Sequence, residues 1–379
     1  MAQALAIATY LLVGLVLYTQ VGYALLIYPF WLAFGRRPLP PPPVRLPFVS
    51  AIVAAHNEER VIEEKVANLR SLDYPKELLE VIVSCDGCTD RTAALARAAG
   101  ADLVVEGPRE GKVRAQDRAV AQAKGELLAF SDANSSWEAG ALKELIRPFS
   151  DPNVGYACGQ VRYLTPAGAT SGEGLYWRFE LFIRRMESDL CSVTGGNGGI
   201  YAVRREAYLV VDPVMGHDLS FPFNMVKRGW RALYVPTAVA RELMVPTVEG
   251  EFARKRRMMS HTWPIVVRGG LLSPRGYPLR YLVMVLSHRL LRYLCPFLHL
   301  LALACSAAAA GVGAGLPVLV LLWLQGAGIV AFLGGRYLPL RPLLLVRHYL
   351  LGQAAILLGL YDWLRHGTAA TWTPPAETR

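Results

Sequence analysis

Two aspartates, Asp86 in LLEVIVSCDGCTD and Asp132 in GELLAFSDANSS, each close an apolar run. Two carboxylates at the ends of neighbouring strands make a negative focus, which suits a divalent cation carrying a diphosphate. Each also has a plainer use, since an Asp at a strand end can cap the helix that follows. Apolar runs of β-branched and large residues bounded by Gly and Asp read as buried parallel strands, with helix, short strand and helix between them. Such a pattern defines a doubly wound α/β sheet, whose ligands lie beyond the carboxyl ends of the strands. A nucleotide is the expected occupant of that crevice.

The elements that must hold these groups follow in order. A strand from Phe48 to Ala55 leads into His56-Asn57-Glu58, and a helix runs from Glu59 to Leu72. The strand Glu80 to Cys85 delivers Asp86; Thr89 or Asp90 can cap the helix Arg91 to Ala99. A short strand from Ala101 to Glu106, a loop ending in Lys112 and a helix from Val113 to Ala123 precede the strand that ends at Asp132. Then come a helix from Glu138 to Arg147, a strand from Val154 to Leu164 and a helix from Leu175 to Leu190. TGGNGGIYAVRREAY reads as a glycine-rich loop, a strand and a helix; a further helix follows Gly216 and a last strand covers Ala232 to Ala240. Gly195 to Gly199 lacks the G-x-G-x-x-G spacing of a dinucleotide fingerprint. It reads either as a loop offering backbone amides to a sugar or acceptor, through Gly196, Asn197 and Gly198, or as a plain tight turn.

The chain has 379 residues, 53% of them hydrophobic, which allows a domain of about 200 residues and several membrane spans. Residues 4–34 carry no charge and exceed the roughly 20 residues that span a bilayer. Arg36, Arg37 and a polyproline-like spacer follow, so the positive-inside rule puts the amino terminus outside and residues from Phe48 inside. The net charge of +10 clusters beside apolar segments, which suits an anionic inner-leaflet surface rather than nucleic acid. Arg254 to Arg257 beside Met258, Met259 and Trp263 suggest a helix lying on the bilayer, with a solvated helix as the competitor. Apolar segments lie near 293–311, 316–333 and 343–363. Arg336 and Arg341 mark the last connection as cytoplasmic, and counting crossings then leaves the carboxyl tail outside, unless the last segment only dips into the membrane. The expected divisions are 1–36 a transmembrane helix, 37–47 a linker, 48–248 the catalytic domain, 249–292 interfacial helices, 293–366 about three transmembrane helices and 367–379 a tail. Six scattered cysteines fit a reduced compartment, and Cys85 and Cys88 lack the second pair that zinc requires.

VSCDGCTD, SDANS, GGNGGIYAVRRE and GHDLSFPF, in this order, resemble the family 2 glycosyltransferases with a GT-A fold, especially membrane-anchored polysaccharide synthases related to cellulose and hyaluronan synthases. The resemblance covers roughly 48–263. It implies a GT-A (Rossmann-like) α/β domain on the cytoplasmic face of the inner membrane. It also implies a nucleotide-sugar donor, with Asp86 at the base or ribose and His56, Asn57, Glu58 and Lys112 lining the same pocket. Asp132 would hold Mg²⁺ or Mn²⁺, with Asn134 where the family has the second Asp of Asp-x-Asp; an amide oxygen can ligate but brings no charge. Asp218 would be the general base for inverting attack by an acceptor hydroxyl, with a helix-capping Asp as the alternative. Lys112, the metal and the Arg254 to Arg257 cluster, with Trp263 nearby, would stabilise the departing diphosphate. No Gln-x-x-Arg-Trp string is present, and Arg257 and Trp263 stand six apart, which puts processive elongation in doubt. Trp372 and Arg379 resemble a Trp-x-x-Arg-like ending. The implied acceptor is a glycan or lipid-linked glycan, and polysaccharide-export proteins are candidate partners. Transfer to a polyprenyl phosphate is the runner-up, and a non-catalytic secretion scaffold is the reading from another class.

Overall fold

The computed structural model describes residues 1–35, 39–164, 172–243, 247–338 and 340–371, without the side chains of 172–176. Arg36, Arg37, Trp372 and Arg379, used above, lie outside these residues. One eight-stranded mixed sheet organises the chain. Its strands are β1 (Val49–Ala55), β2 (Leu79–Asp86), β3 (Leu103–Gly107), β4 (Leu127–Asp132), β5 (Ser136–Trp137), β6 (Val154–Leu164), β7 (Tyr201–Arg204) and β8 (Arg231–Leu243), in the order β3-β2-β1-β4-β7-β6-β8-β5. The first four in that order are parallel, and β7 runs antiparallel to both β4 and β6.

Strands β1, β2 and β4 are apolar throughout because both of their faces are covered. Val49, Ala51 and Val53 pack with Val81, Val83 and Leu127 on one face, and Ile52, Ile82, Leu128 and Phe130 pack on the other. Each such large side chain contributes roughly 1.5–3 kcal/mol by leaving water. The first face takes α3 (Ile62–Arg70), α4 (Thr92–Ala98) and α6 (Ala141–Ile146); the second takes α5 (Lys112–Gln122) and α8 (His217–Lys227). Parallel pairing of β2–β1–β4 places Asp86 and Asp132 at the same edge of the sheet. After β7 the expected helix is only a single tight turn, Arg205–Ala207, because Ala207 and Leu209 are drawn into the core.

Among the described residues four helices are long and apolar enough to cross a membrane: Ala2–Phe34, Leu279–Gly311, Leu316–Gly334 and Arg341–His366. The first comprises α1 (Ala2–Leu17) and α2 (Tyr23–Phe34), joined by a wider turn. After α7 (Gly172–Leu190) and α9 (Val248–Val267), the second comprises α10 (Leu279–Met284) and α11 (Leu291–Gly311), joined by a π turn. The last two are α12 (Leu316–Gly334) and α13 (Arg341–His366). The second helix starts at Leu279 rather than near 293. Its early polar residues have protein partners: His288 meets Glu187 (2.8 Å) and Glu180 (3.0 Å), Arg289 donates to Thr194 Oγ1 (2.9 Å), and Arg292 pairs with Glu180.

The apolar face of α9 is taken by α13 rather than left for lipid. Trp263 is buried and donates its indole N–H to the Ile356 carbonyl (3.1 Å), while Arg256 grips Asp362 with two 2.6 Å bonds. Trp263 therefore packs between the two helices. Beyond α13 the chain, whose side the sequence left open, returns to the catalytic domain. Thr368 Oγ1 donates to the Ser260 carbonyl (2.8 Å), and a Cβ at Gly111 would fall 2.2 Å from the Ala370 carbonyl oxygen.

Candidate active site

Asp86 closes β2 and turns inward. Its two oxygens accept from the backbone N–H groups of Glu110 and Gly111 (2.9 Å each), and Arg118 reaches it at 3.2 Å. The carboxylate is buried and these bonds shape the 107–112 loop. Gly111, at φ +100°, lets the loop reverse into α5 and present Lys112. The segment after β1 is knitted to the same edge. His56 Nδ1 lies 2.6 Å from the Asp86 carbonyl, Asn57 accepts from Thr89 N–H (2.9 Å), and Glu58 N–H donates to Thr92 Oγ1 (2.8 Å). Asp90 accepts from Thr92 N–H (3.0 Å) one residue ahead of the N-cap position, Arg91, so it supports the first turn of α4 without occupying the cap itself. Cys88 rests on the Ala55 carbonyl, consistent with a structural thiol.

Asp132, at the end of β4, is partly exposed and pairs with Lys112. Burial alone would lower the Lys112 pKa; Asp132, with Asp218 and Glu242 further off, more than offsets this and raises it. Lys112 is therefore a fixed cation. The glycine-rich loop closes over this pair: a Cβ at Gly198 would lie 3.1 Å from Lys112 Nζ and 3.2 Å from Asp132 Oδ2. Asn197 is spent holding the loop, since its amide donates to the Gly159 carbonyl (2.7 Å) and accepts from Ile200 N–H (2.9 Å). Gly196 N–H donates to the Asp218 carbonyl (2.6 Å), which ties the loop to α8.

Asp218 stands in the first turn of α8, and no side chain makes a capping bond there. Its carboxylate is free of the capping role and its field reaches Lys112 and His261. His217 is buried against Phe221, with Nδ1 2.9 Å from the Tyr201 hydroxyl. Burial and the Lys112 charge push its pKa down to about 3, so it is a neutral core residue. Of the basic run on α9, Arg254 and Lys255 pair with Glu251 and Arg256 with Asp362. Arg257 is the half-buried member whose charge is felt by His261.

Sequence reading missed Glu242, a single acid in β8. A buried, partnerless Oε1 of Glu242 lies where a Gly199 Cβ would come within 2.3 Å. Burial, then the Asp132 charge, push its pKa up to about 7, against the pull of Lys112. Among the described residues no three His, Cys, Asp or Glu side chains gather as a metal cluster. The Asp132 charge acts on Glu242, and the orphaned Glu242 oxygen, with Asp132 and the Asn134 amide, is of the oxygen-donor chemistry that would suit Mg²⁺ or Mn²⁺. Because the Glu242 carboxyl rises from 4.5 to about 7 in the folded chain, it holds its proton more tightly there than when unfolded. Folding should accordingly lose stability as pH climbs through that window. Thermal unfolding of the parent and Glu242→Gln in chelator checks this: the parent should fall more steeply with pH, and parallel curves would reject the buried carboxyl.

Sheet order, site edge and glycine loop together define a GT-A type nucleotide-sugar enzyme fold. Residues 50–210 match the family described as glycosyl transferase family 2, and the chain carries a family 2 glycosyltransferase domain. It is 30% identical over 181 residues to glycosyltransferase AglE of Haloferax volcanii, covering 46% of this chain and 58% of that protein. It is 32% identical over 207 residues to a beta-monoglucosyldiacylglycerol synthase of Synechocystis, covering 50% and 42%. The chain thus spans about half the length of the curated relatives it matches. A mannosyltransferase from Pyrobaculum calidifontis, solved with GDP-Man and Mn²⁺, superposes with TM-score 0.72 at 25% identity, over 96% of this chain and 99% of that one.

Proposed function

We propose that the chain is a membrane-bound inverting glycosyltransferase, moving a sugar from a nucleotide donor to a hydroxyl of a glycan or lipid-linked acceptor at the cytoplasmic face of the inner membrane. The observation that carries this reading is the pair of carboxylates around Lys112: Asp132, paired with it, and Asp218, uncommitted to capping and within its field. A divalent cation held by Asp132 with Asn134 and Glu242 would supply positive charge to the departing diphosphate. Lys112 remains protonated and adds a second positive charge on that side. Asp218 takes the proton of the acceptor hydroxyl as that oxygen attacks the anomeric carbon from the opposite face. Gly198 leaves room for a sugar against the Lys112–Asp132 pair, where any side chain would intrude.

The test is a panel of nucleotide sugars offered to the purified full chain, with nucleotide release followed with and without divalent cation. One donor should stand out, and its release should collapse in chelator. Absence of release from every donor, with and without acceptor lipids, would leave the fold as a scaffold.

A further inference from the structure

The glycine loop has a second set of neighbours. Where Gly198 meets Lys112 and Asp132, a Cβ at Gly195 would lie 2.7 Å from Arg289 Nη2, and one at Gly196 would lie 1.9 Å from the Tyr156 hydroxyl. Arg184 of α7 is 4% exposed and lies between the rings of Trp177 and Tyr234, at 6.0 and 5.7 Å. Arg184 Nε and Nη1, Arg289 Nη2 and the Tyr156 hydroxyl are all buried without a hydrogen-bond partner. The two guanidiniums converge on β6. Burial raises the Cys158 thiol to about 11, and the charges of both Arg184 and Arg289 work against that rise.

Four buried donor groups therefore converge without an acceptor. The acids nearby are already engaged: Glu187 accepts from Tyr23 (2.9 Å) and Thr194 (2.8 Å) and meets His288, while Glu180 meets His288 and Arg292 and reaches Arg289 Nη1 only at 3.9 Å, which leaves Arg289 Nη2 and the whole Arg184 guanidinium without an acid at hydrogen-bond distance. A buried guanidinium without an anion is costly, and water would offer two lone pairs but no charge. The complement of this cluster is an oxyanion, with several acceptor sites and negative charge. Its position argues whose oxyanion it is. Arg289 belongs to the helix Leu279–Gly311, and the loop linking the cluster to Gly198 is three residues, at most about 10 Å.

We propose that Arg184, Arg289 and Tyr156 form a subsite for an oxyanion, a phosphate or carboxylate, carried by the acceptor and entering from the membrane side. This rests on the glycosyl-transfer reading. The oxyanion is a handle that presents a neighbouring hydroxyl to Asp218, and it is separate from the diphosphate place at Lys112.

The binding test uses inorganic phosphate alone and needs no turnover. Phosphate should raise the unfolding temperature of the full chain above chloride at matched ionic strength, and Arg184→Gln should remove the rise. Tyr156→Phe should be at least as stable as the parent without phosphate, since it gives up no hydrogen bond, and should respond less to phosphate. If Arg184→Gln does not fold, Arg184→Lys and Tyr156→Phe give the same comparison. Equal phosphate responses in parent and variants, or none in the parent, would overturn the subsite. In the turnover arm, vesicles containing a lipid-linked phosphate acceptor are compared with soluble uronate oligosaccharides and with diacylglycerol. Arg184→Gln should raise KM by about tenfold or more for whichever anionic acceptor the parent uses, without changing donor hydrolysis. A parent that prefers diacylglycerol and shows no phosphate response refutes the handle. A parent that binds phosphate but releases no nucleotide refutes the transfer reading and leaves the anion site standing.

Discussion

Asp218→Asn should bind donor as tightly as the parent and turn over on the order of 10²-fold more slowly or worse. The substitution keeps size and hydrogen-bonding capacity and removes only the ability to accept a proton. Asn also caps helices nearly as well as Asp, and no capping bond from Asp218 is there to lose. The backbone tie from Gly196 N–H to the residue 218 carbonyl is unaffected by the change. Donor affinity and single-turnover rate on one preparation decide the matter. A retained rate would remove Asp218 from proton transfer and favour a phosphate nucleophile, which needs no base.

Asp132→Ala should abolish divalent-dependent nucleotide release while the protein stays folded. Two effects combine. The cation loses its one partly exposed carboxylate at this edge, and Lys112 loses the partner that most strongly favours its charged form. Removing one preorganised charge of this kind typically costs 10²–10³-fold in rate, and here two change together. Calorimetric titration with Mn²⁺, alongside turnover, separates the effects. A variant that titrates Mn²⁺ like the parent would move the cation elsewhere. Asn134→Asp provides the converse, since added charge should tighten the titration if that amide is a ligand.

Much of this site could be read directly from the chain. Strands β1, β2 and β4 were legible because burial on both faces forces continuous apolar runs, and β6 was found at its observed ends, Val154 and Leu164. Asp132, Lys112, Gly198 and Asp218 come together as expected. Asp86 stands at the expected edge, and its bonds to the backbone N–H groups of Glu110 and Gly111 were not legible because such geometry has no sequence signature. Glu242 and Arg184 were illegible for a related reason. A single charge in an apolar element looks like a solvated residue until tertiary packing buries it. The apolar face of α9 was visible, but nothing local distinguishes a face covered by α13 from one lying on lipid.

The return of Thr368 and Ala370 to Ser260 and Gly111 constrains how the chain threads a bilayer. Segments that flank a set of helices and share one face must be separated by an even number of crossings. Among the described residues three candidate helices lie between 279 and 366, and three crossings would put the flanking segments on opposite faces. From Asp362, bound to Arg256, back to Arg341 is about 30 Å of helix, enough to traverse the hydrocarbon core. Leu279–Gly311 is long enough to do the same. Helix α12 joins their distant ends: Gln325 donates to Ser306, five residues before the end of α11, and Gly334 adjoins Leu343 at the start of α13. In a thread that keeps the two flanking segments on one face, α12 would be the helix that does not cross, and Arg336 and Arg341, which by sequence alone mark a cytoplasmic connection, would lie opposite the catalytic domain.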